Sequence, residues 1–198
     1  MNLFKKTTAS VALVALVSGT FSTGVAAMDL AEINAATSLA KKGFINEVET
    51  VADFRLDATI TRAEAAKVAA MIAGVTPNDS CEGKFTDVSA TTPNDWVCGY
   101  VEALLEEGLL SANAEYNPER NLSKTESLKM MMEAAGEEVE YGNDWQADFV
   151  AHAVEAGYIS TFADFNTAAT RGFVFVAADN SHTANDEGDL LEDILDQL

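Results

Sequence analysis

Three basic side chains stand out as the residues best suited to chemistry, because each is predicted to lie at the start of a helix. They are Arg62, Lys124 and Arg171. A cation in the first helical turn opposes the helix dipole, which costs roughly 0.3–1 kcal/mol. A base kept where stability argues against it indicates an anionic ligand. The free backbone N–H groups of a helix start are expected to help hold such an anion.

The residues flanking the first two bases predict where these helices begin. Thr61 and Glu64 have the spacing of a capping box, as do Ser123 and Glu126. In that motif the hydroxyl accepts a hydrogen bond from the backbone N–H three residues on, and the carboxylate accepts one from the N–H of the capping residue. Apolar residues follow at helical spacing in both stretches, so each motif opens an amphipathic helix.

The third copy of this motif is incomplete. Thr170 keeps the capping position before Arg171, but Phe173 stands in place of the carboxylate and Gly172 weakens the helix start. Residues 173–176 read Phe-Val-Phe-Val, which on propensity alone suits a strand. The register of the three copies instead predicts a short helix.

Glycines set the lengths of the predicted helices. Each helix is followed by a glycine suited to a left-handed helix stop; these are Gly43, Gly74, Gly108, Gly136 and Gly157. The pattern divides the chain into three helix–loop–helix units over 28–76, 77–138 and 139–180. One unit cannot close a core alone, so the three units are expected to pack together in an all-α fold.

The amino-terminal segment 1–27 reads as a secretory signal peptide. Lys5 and Lys6 form its basic end, residues 11–17 its apolar run and residues 25–27 a small-residue cleavage site. The apolar run is too short for a membrane span, although a retained membrane anchor is the alternative. We therefore expect a secreted protein with no membrane span after cleavage.

The carboxy-terminal segment 181–198 is acidic and carries an apolar stripe at helical spacing. The stripe consists of Leu190, Leu191, Ile194, Leu195 and Leu198. We expect a separate tail helix that lies on the bundle. The alternative is that residues 186–198 dock another protein.

The composition argues against two functional classes. A formal charge of -20 disfavours nucleic acid as a partner, because neutralising phosphates requires a basic surface. An enzyme is disfavoured because His152 and His182 have no Cys or Ser partner placed by a motif, and no carboxylate pair stands out. No metal site or cofactor is predicted, since the acidic residues 179–189 lack the EF-hand spacing.

The two cysteines, Cys81 and Cys98, are predicted to form a disulfide. An exported chain with a single cysteine pair favours a bridge over two reduced thiols. Closing a loop of about 18 residues contributes roughly 3 kcal/mol in the loop-entropy model.

A further motif, Phe85-Thr86-Asp87-Val88 followed by Trp96, identifies a resemblance. Together with the Thr-Arg-Ala-Glu sequence 61–64 and the glycine stops, it resembles the S-layer homology (SLH) family over about residues 31–178. The resemblance implies three tandem repeats that form a compact, pseudo-threefold α-helical spindle with grooves between the repeats.

The resemblance also implies a role at the cell surface. Such domains hold exported proteins to a cell-wall-linked polysaccharide, often a pyruvylated and negatively charged one. The bases at 62, 124 and 171 would then contact the polymer inside the grooves. Trp96 and Trp145 would either stack on a sugar ring or pack in the core, and core packing is the expectation. An assembly subunit that contacts other envelope or S-layer proteins through 186–198 is the alternative.

Departures from the family pattern rank the three grooves. The first unit lacks the Phe-x-Asp-Val start and the Trp, Lys124 is a point charge where Arg would give a planar fork, and the third unit has no capping carboxylate. The Arg62 groove is therefore the best candidate and the Arg171 groove the weakest. The competing hypothesis is that each base merely pairs with a neighbouring acid.

Overall fold

The structure, a computed structural model, describes residues 29–91 and 95–195, with side chains described as far as residue 184. The signal peptide predicted for 1–27 lies outside these residues. The described part contains no strand, only isolated bridges, so the all-α prediction is confirmed. Its helices are α1 Leu30–Lys41, α2 Arg62–Ile72, α3 Asp95–Glu106, α4 Lys124–Ala134, α5 Trp145–Glu155 and α6 Arg171–Leu195, with a 3₁₀ turn at Val51–Phe54. None of the helices in this part has the length and apolarity required to cross a membrane.

The two complete capping boxes form as predicted at the starts of α2 and α4. The Thr61 hydroxyl accepts from the backbone N–H of Glu64 at 3.2 Å, and the Glu64 carboxylate accepts from the N–H of Thr61 at 3.0 Å. The corresponding distances between Ser123 and Glu126 are 3.2 and 2.9 Å. These local bonds fix the residue at which each helix begins.

The third base-bearing helix, α6, differs in length from the prediction. It begins at Arg171, where the Thr170 hydroxyl still accepts from the N–H of Phe173 at 3.2 Å, so half of the capping box survives. It then continues without a break to Leu195 and includes most of the predicted tail. Gly74 and Gly136 end α2 and α4 at positive φ, but Thr183 occupies the corresponding position of α6. Without a residue suited to the left-handed conformation, the helix does not stop.

The centre of the fold is a ring of three backbone hydrogen bonds that joins the three helix starts. Ile60 donates to the carbonyl of Ala169 at 3.1 Å, Ala169 donates to Leu122 at 2.8 Å, and Leu122 donates to Ile60 at 3.3 Å. All three side chains are fully buried. Each capping residue follows a member of this ring, so the ring sets the three bases at equivalent places around one axis.

The helices pack between the predicted units rather than within them. The helices α2, α4 and α6 contact one another around the ring, while the principal partner of α3 is α2, that of α5 is α4 and that of α1 is α6. Each outer helix thus lies on the base-bearing helix of the preceding unit, and α1 closes the circle against α6. Every groove consequently combines residues from different units.

The disulfide and a buried carboxylate together hold the loop before α3. Cys81 and Cys98 are bonded as predicted, with their Cα atoms 5.6 Å apart. One turn along α3, the fully buried Glu102 carboxylate accepts from the backbone N–H groups of Glu82 at 2.7 Å and Lys84 at 2.8 Å. No sequence pattern predicts this role, since Glu102 is one acid among many.

Removing the Glu102 carboxylate should destabilise the fold. Glu102→Ala leaves the backbone N–H groups of Glu82 and Lys84 without their acceptor, and we expect the free energy of unfolding to fall by roughly 2–4 kcal/mol. Chemical denaturation measures this loss. The matched control is Glu107→Ala on an exposed position of the same stretch, which should change stability by less than about 0.5 kcal/mol. Equal effects of the two substitutions would refute the role of Glu102 in holding this loop.

Candidate ligand-binding grooves

The helix starts themselves do not provide an anion site. The backbone N–H of Arg62 donates to the carbonyl of Arg120 at 2.8 Å, and that of Ala63 donates to Pro118 at 2.9 Å. With the capping hydroxyl holding the third N–H, no free donor remains. The same bonds tie Lys124 to Thr167 and Arg171 to Ala58. The prediction that free N–H groups hold an anion is wrong, because the neighbouring loop occupies them; any anion must be bound by side chains.

Arg62 lies in a groove without a carboxylate partner. Its guanidinium carbon is 4.7 Å from the centre of the Tyr116 ring, and its Nε is buried with no hydrogen-bond partner. No ion pair to Arg62 occurs among the described side chains. The groove has a volume of about 410 Å³ and is also lined by Trp145, Tyr141 and Lys129. It therefore presents a cation beside aromatic faces.

The Phe-Thr-Asp-Val motif fixes the position of Tyr116, the aromatic residue against which Arg62 packs. The Asp87 carboxylate accepts from the backbone N–H groups of Tyr116 at 2.8 Å and Asn117 at 2.7 Å. The Phe85 ring packs against the Tyr116 ring at 5.4 Å, and the Tyr116 hydroxyl donates to the carbonyl of Arg62 at 2.9 Å. Burial raises the pKa of Tyr116, so its hydroxyl stays protonated as a donor. The motif thus connects one loop directly to the base of another unit.

Glu126, which corresponds to the glutamate that pairs with Arg171, is already bound by another arginine. Glu126 lines the same groove, but its carboxylate accepts two hydrogen bonds from the Arg120 guanidinium, at 2.9 and 3.0 Å. Burial by itself would raise the pKa of Glu126, yet the bonds from Arg120 and Ser123 outweigh it and hold that pKa below its ordinary value. The pair with Glu126 likewise raises the pKa of Arg120.

Arg171 lies in a second groove, of about 500 Å³, and is paired there. Its guanidinium donates to the Glu64 carboxylate at 2.9 Å and to the carbonyl of Phe54 at 2.9 Å, and lies 5.1 Å from the centre of the Phe175 ring. Burial lowers the pKa of Arg171, and the charge of Glu64 opposes that shift. The hypothesis that each base merely pairs with a neighbouring acid therefore holds for Arg171, and it does not hold for Arg62 among the described side chains.

Lys124 lies against aromatic rings and makes no direct ion pair among the described side chains. Its ammonium lies 5.3 Å from the centres of the Phe162 and Phe173 rings. Phe173 occupies the position that Glu64 and Glu126 hold in the other two helices, so a ring face replaces a carboxylate. Both contacts have the geometry of cation–π interactions, which hold the ammonium without neutralising it.

The two tryptophans each line an arginine groove. Trp96 is 41 % exposed and lies in the Arg171 groove, so the expectation of core packing is wrong for this residue. The next residues of α3, Val97 and Cys98, take the buried positions instead. Trp145 is partly buried, packs edge-on against Phe149 at 6.2 Å and reaches the Arg62 groove.

Two groove lysines were missed by sequence reasoning. Lys129 lies 4.6 Å from the centres of the Tyr141 and Phe149 rings and pairs with Glu133. Lys67 lines the other groove and donates to the amide oxygen of Asn46 at 3.1 Å. Both lysines follow the base of their own helix by five residues, so the register of the motif could have found them.

The histidines and cysteines have structural partners. His152 lies 3.1 Å from the Glu137 carboxylate, and His182, which is part of α6 rather than a loop, packs its ring on Phe44 at 4.9 Å. Both cysteines lie beside Glu102, but the disulfide removes them as metal ligands. His152 and His182 are thus each bound to a loop that follows another helix.

Part of the chain matches a known protein family. The profile of the S-layer homology domain matches residues 84–126, a stretch that contains the Phe-Thr-Asp-Val motif, Trp96 and the capping box at 123–126. A similar protein is the "Middle cell wall protein" of Brevibacillus brevis, which is 27% identical over 134 residues. The alignment covers 65% of this chain and 12% of that protein, so the chain spans only a small part of the relative.

The pair between Arg120 and Glu126 should make stability depend on pH. The pKa of Glu126 is lowered in the fold from its ordinary 4.5, so the stabilisation is present above that value and is lost as the pH falls through the lower, folded pKa. We expect the stability difference between wild type and Glu126→Gln to stay constant from about pH 7 to about pH 5 and to shrink on further acidification.

Denaturation at a series of pH values measures this difference, and Glu119→Gln on an exposed site is the control. The Glu119→Gln difference should not follow the same course. A Glu126→Gln difference that persists unchanged to about pH 3 would argue against the pair as a source of stability.

Proposed function

Because the chain carries an S-layer homology domain at residues 84–126, we propose that the protein is a non-catalytic cell-surface module that binds an anionic polysaccharide linked to the cell wall. The Arg62 groove is the principal binding site. Arg62 contacts the acidic group of the polymer, and Trp145 offers an aromatic face to a sugar ring. Three tandem repeats of the domain, over 28–76, 77–138 and 139–180, are part of this proposal.

One observation carries the proposal: among the described side chains no carboxylate pairs with the Arg62 guanidinium, and its groove also holds the indole of Trp145. A planar guanidinium matches a carboxylate with two parallel hydrogen bonds. The volume of about 410 Å³ lies within the range of small-ligand sites, about 300–1,000 Å³. An acidic sugar residue therefore suits this groove.

The strong negative charge of the chain does not prevent such binding. Repulsion between the acidic surface and an anionic polymer is screened beyond about 8 Å at physiological ionic strength. The contact inside the groove is direct and partly buried, so salt weakens it less. Lys129 also lines the groove, where its ammonium is paired with Glu133, so Arg62 is the cation left for the polymer.

Secretion to the cell envelope is the proposed location. It is supported by the predicted signal peptide at 1–27 and by a relative whose name refers to the cell wall. A second candidate function, assembly with other envelope proteins through 186–198, is favoured by the continuation of α6 as a helix to Leu195. The two candidates make opposite predictions for the same binding assay.

Arg62→Ala should weaken cosedimentation with purified cell-wall sacculi by at least about tenfold, because it removes a charge-assisted contact to the polymer. The matched control is Lys41→Ala, which removes an exposed cation of α1 away from both grooves and should change binding less than about twofold. Thermal unfolding checks that each variant is folded. Unchanged sedimentation of Arg62→Ala would count against the proposal. If deletion of 186–198 abolishes retention while Arg62→Ala does not, the assembly function is correct.

A further inference from the structure

The two arginine grooves are built alike but differ in what the facing glutamate does. Glu64 and Glu126 occupy the same position in their capping boxes, and each lines the groove that contains the arginine of another unit. Glu64 pairs with Arg171 at 2.9 Å. Glu126 makes no ion pair with Arg62 and is instead bound by Arg120.

We propose that Arg120 is a positioning residue that keeps the Arg62 groove open by holding Glu126 away from Arg62, and that Glu64 closes the Arg171 groove. Of the Arg62 and Arg171 grooves, the chain thus presents the Arg62 groove ready for an acidic glycan. This inference rests on the proposed function and assigns the residues that regulate its site.

The register of the helix starts explains why the grooves differ. Arg120 lies three residues before the capping residue Ser123, and the residue three before Thr61 is Ala58. Both accept, through their backbone carbonyls, the equivalent N–H of a neighbouring helix, that of Arg62 and that of Arg171, at 2.8 Å in each case. Only position 120 also carries a guanidinium. Ala58 leaves Glu64 without the guanidinium that Arg120 supplies to Glu126, and Glu64 pairs with the arginine across the groove.

The hydrogen-bond capacity of Glu126 makes this exclusion effective. One carboxylate oxygen accepts from Arg120 at 2.9 Å, and the other accepts from Arg120 at 3.0 Å and from the backbone N–H of Ser123 at 2.9 Å. In this position the carboxylate makes no ion pair with Arg62, and moving it towards Arg62 would disturb the two-point pair, which is stronger than a single contact. Arg62 therefore keeps its charge available.

Soluble wall-polysaccharide fragments and isothermal titration test the Arg120 claim. Arg120→Ala releases Glu126 to pair with Arg62 and should weaken binding at least about tenfold. Adding Glu126→Gln removes the competing charge and should restore affinity to within about threefold of wild type, since Gln also suits this capping position. If the double variant stays as weak as Arg120→Ala, Arg120 acts by touching the ligand and the inference is wrong.

The reciprocal test opens the second groove. Glu64→Gln keeps a capping side chain but removes the charge that pairs with Arg171. We expect the stoichiometry to rise from one fragment per chain to two, and the added site to disappear when Arg171→Ala is combined with it. A stoichiometry that stays at one in Glu64→Gln would overturn the claim that Glu64 closes that groove.

A measurement without glycan separates this inference from the proposed function. In nuclear magnetic resonance spectra, the Nε–H signal of Arg62 should shift in Arg120→Ala and return in Arg120→Ala/Glu126→Gln. If wild type binds no fragment but these shifts occur, the proposed ligand is wrong and the positioning role stands. If wild type binds through Arg62 and the signal is the same in all three proteins, the positioning role is refuted.

Discussion

The ring of backbone hydrogen bonds among Ile60, Leu122 and Ala169 is the constraint on which the rest of the structure depends. Buried amide groups must be paired, and these three are paired only with one another. The three helix starts are therefore held in register with one another. The ring joins the three capping motifs at one point of the fold, and it places their bases at related positions between units.

This arrangement has a direct consequence for binding. The N–H groups at the first positions of α2, α4 and α6 donate to carbonyls of the neighbouring loops, so these helix ends hold the units together. A ligand can therefore be bound only by side chains. Side chains at related positions then diverge in environment. Arg62 lies on a tyrosine without an acid, Arg171 is paired with Glu64, and Lys124 lies between two phenylalanine rings.

Two carboxylates, one buried and one partly buried, hold loops in place in a chain with a large excess of acidic residues. Asp87 holds the loop that carries Tyr116, and Glu102 holds the loop that the disulfide closes. Each accepts two backbone N–H groups, which are the bonds that those loops lack without secondary structure. Loop geometry, and with it the position of Tyr116, thus depends on two acids that composition alone does not distinguish from the others.

Local sequence determined the elements whose causes lie within a few residues. The capping boxes at 61–64 and 123–126, the glycine stops and the Cys81–Cys98 bridge could all be predicted, because each depends on short-range spacing or on a single possible pairing. The tertiary structure alone decided the exposure of Trp96, the packing of each outer helix on a helix of another unit, and the partner of each base. Glu64 and Arg171 are 107 residues apart, and whether such groups meet depends on packing around the central ring rather than on any periodic pattern along the chain.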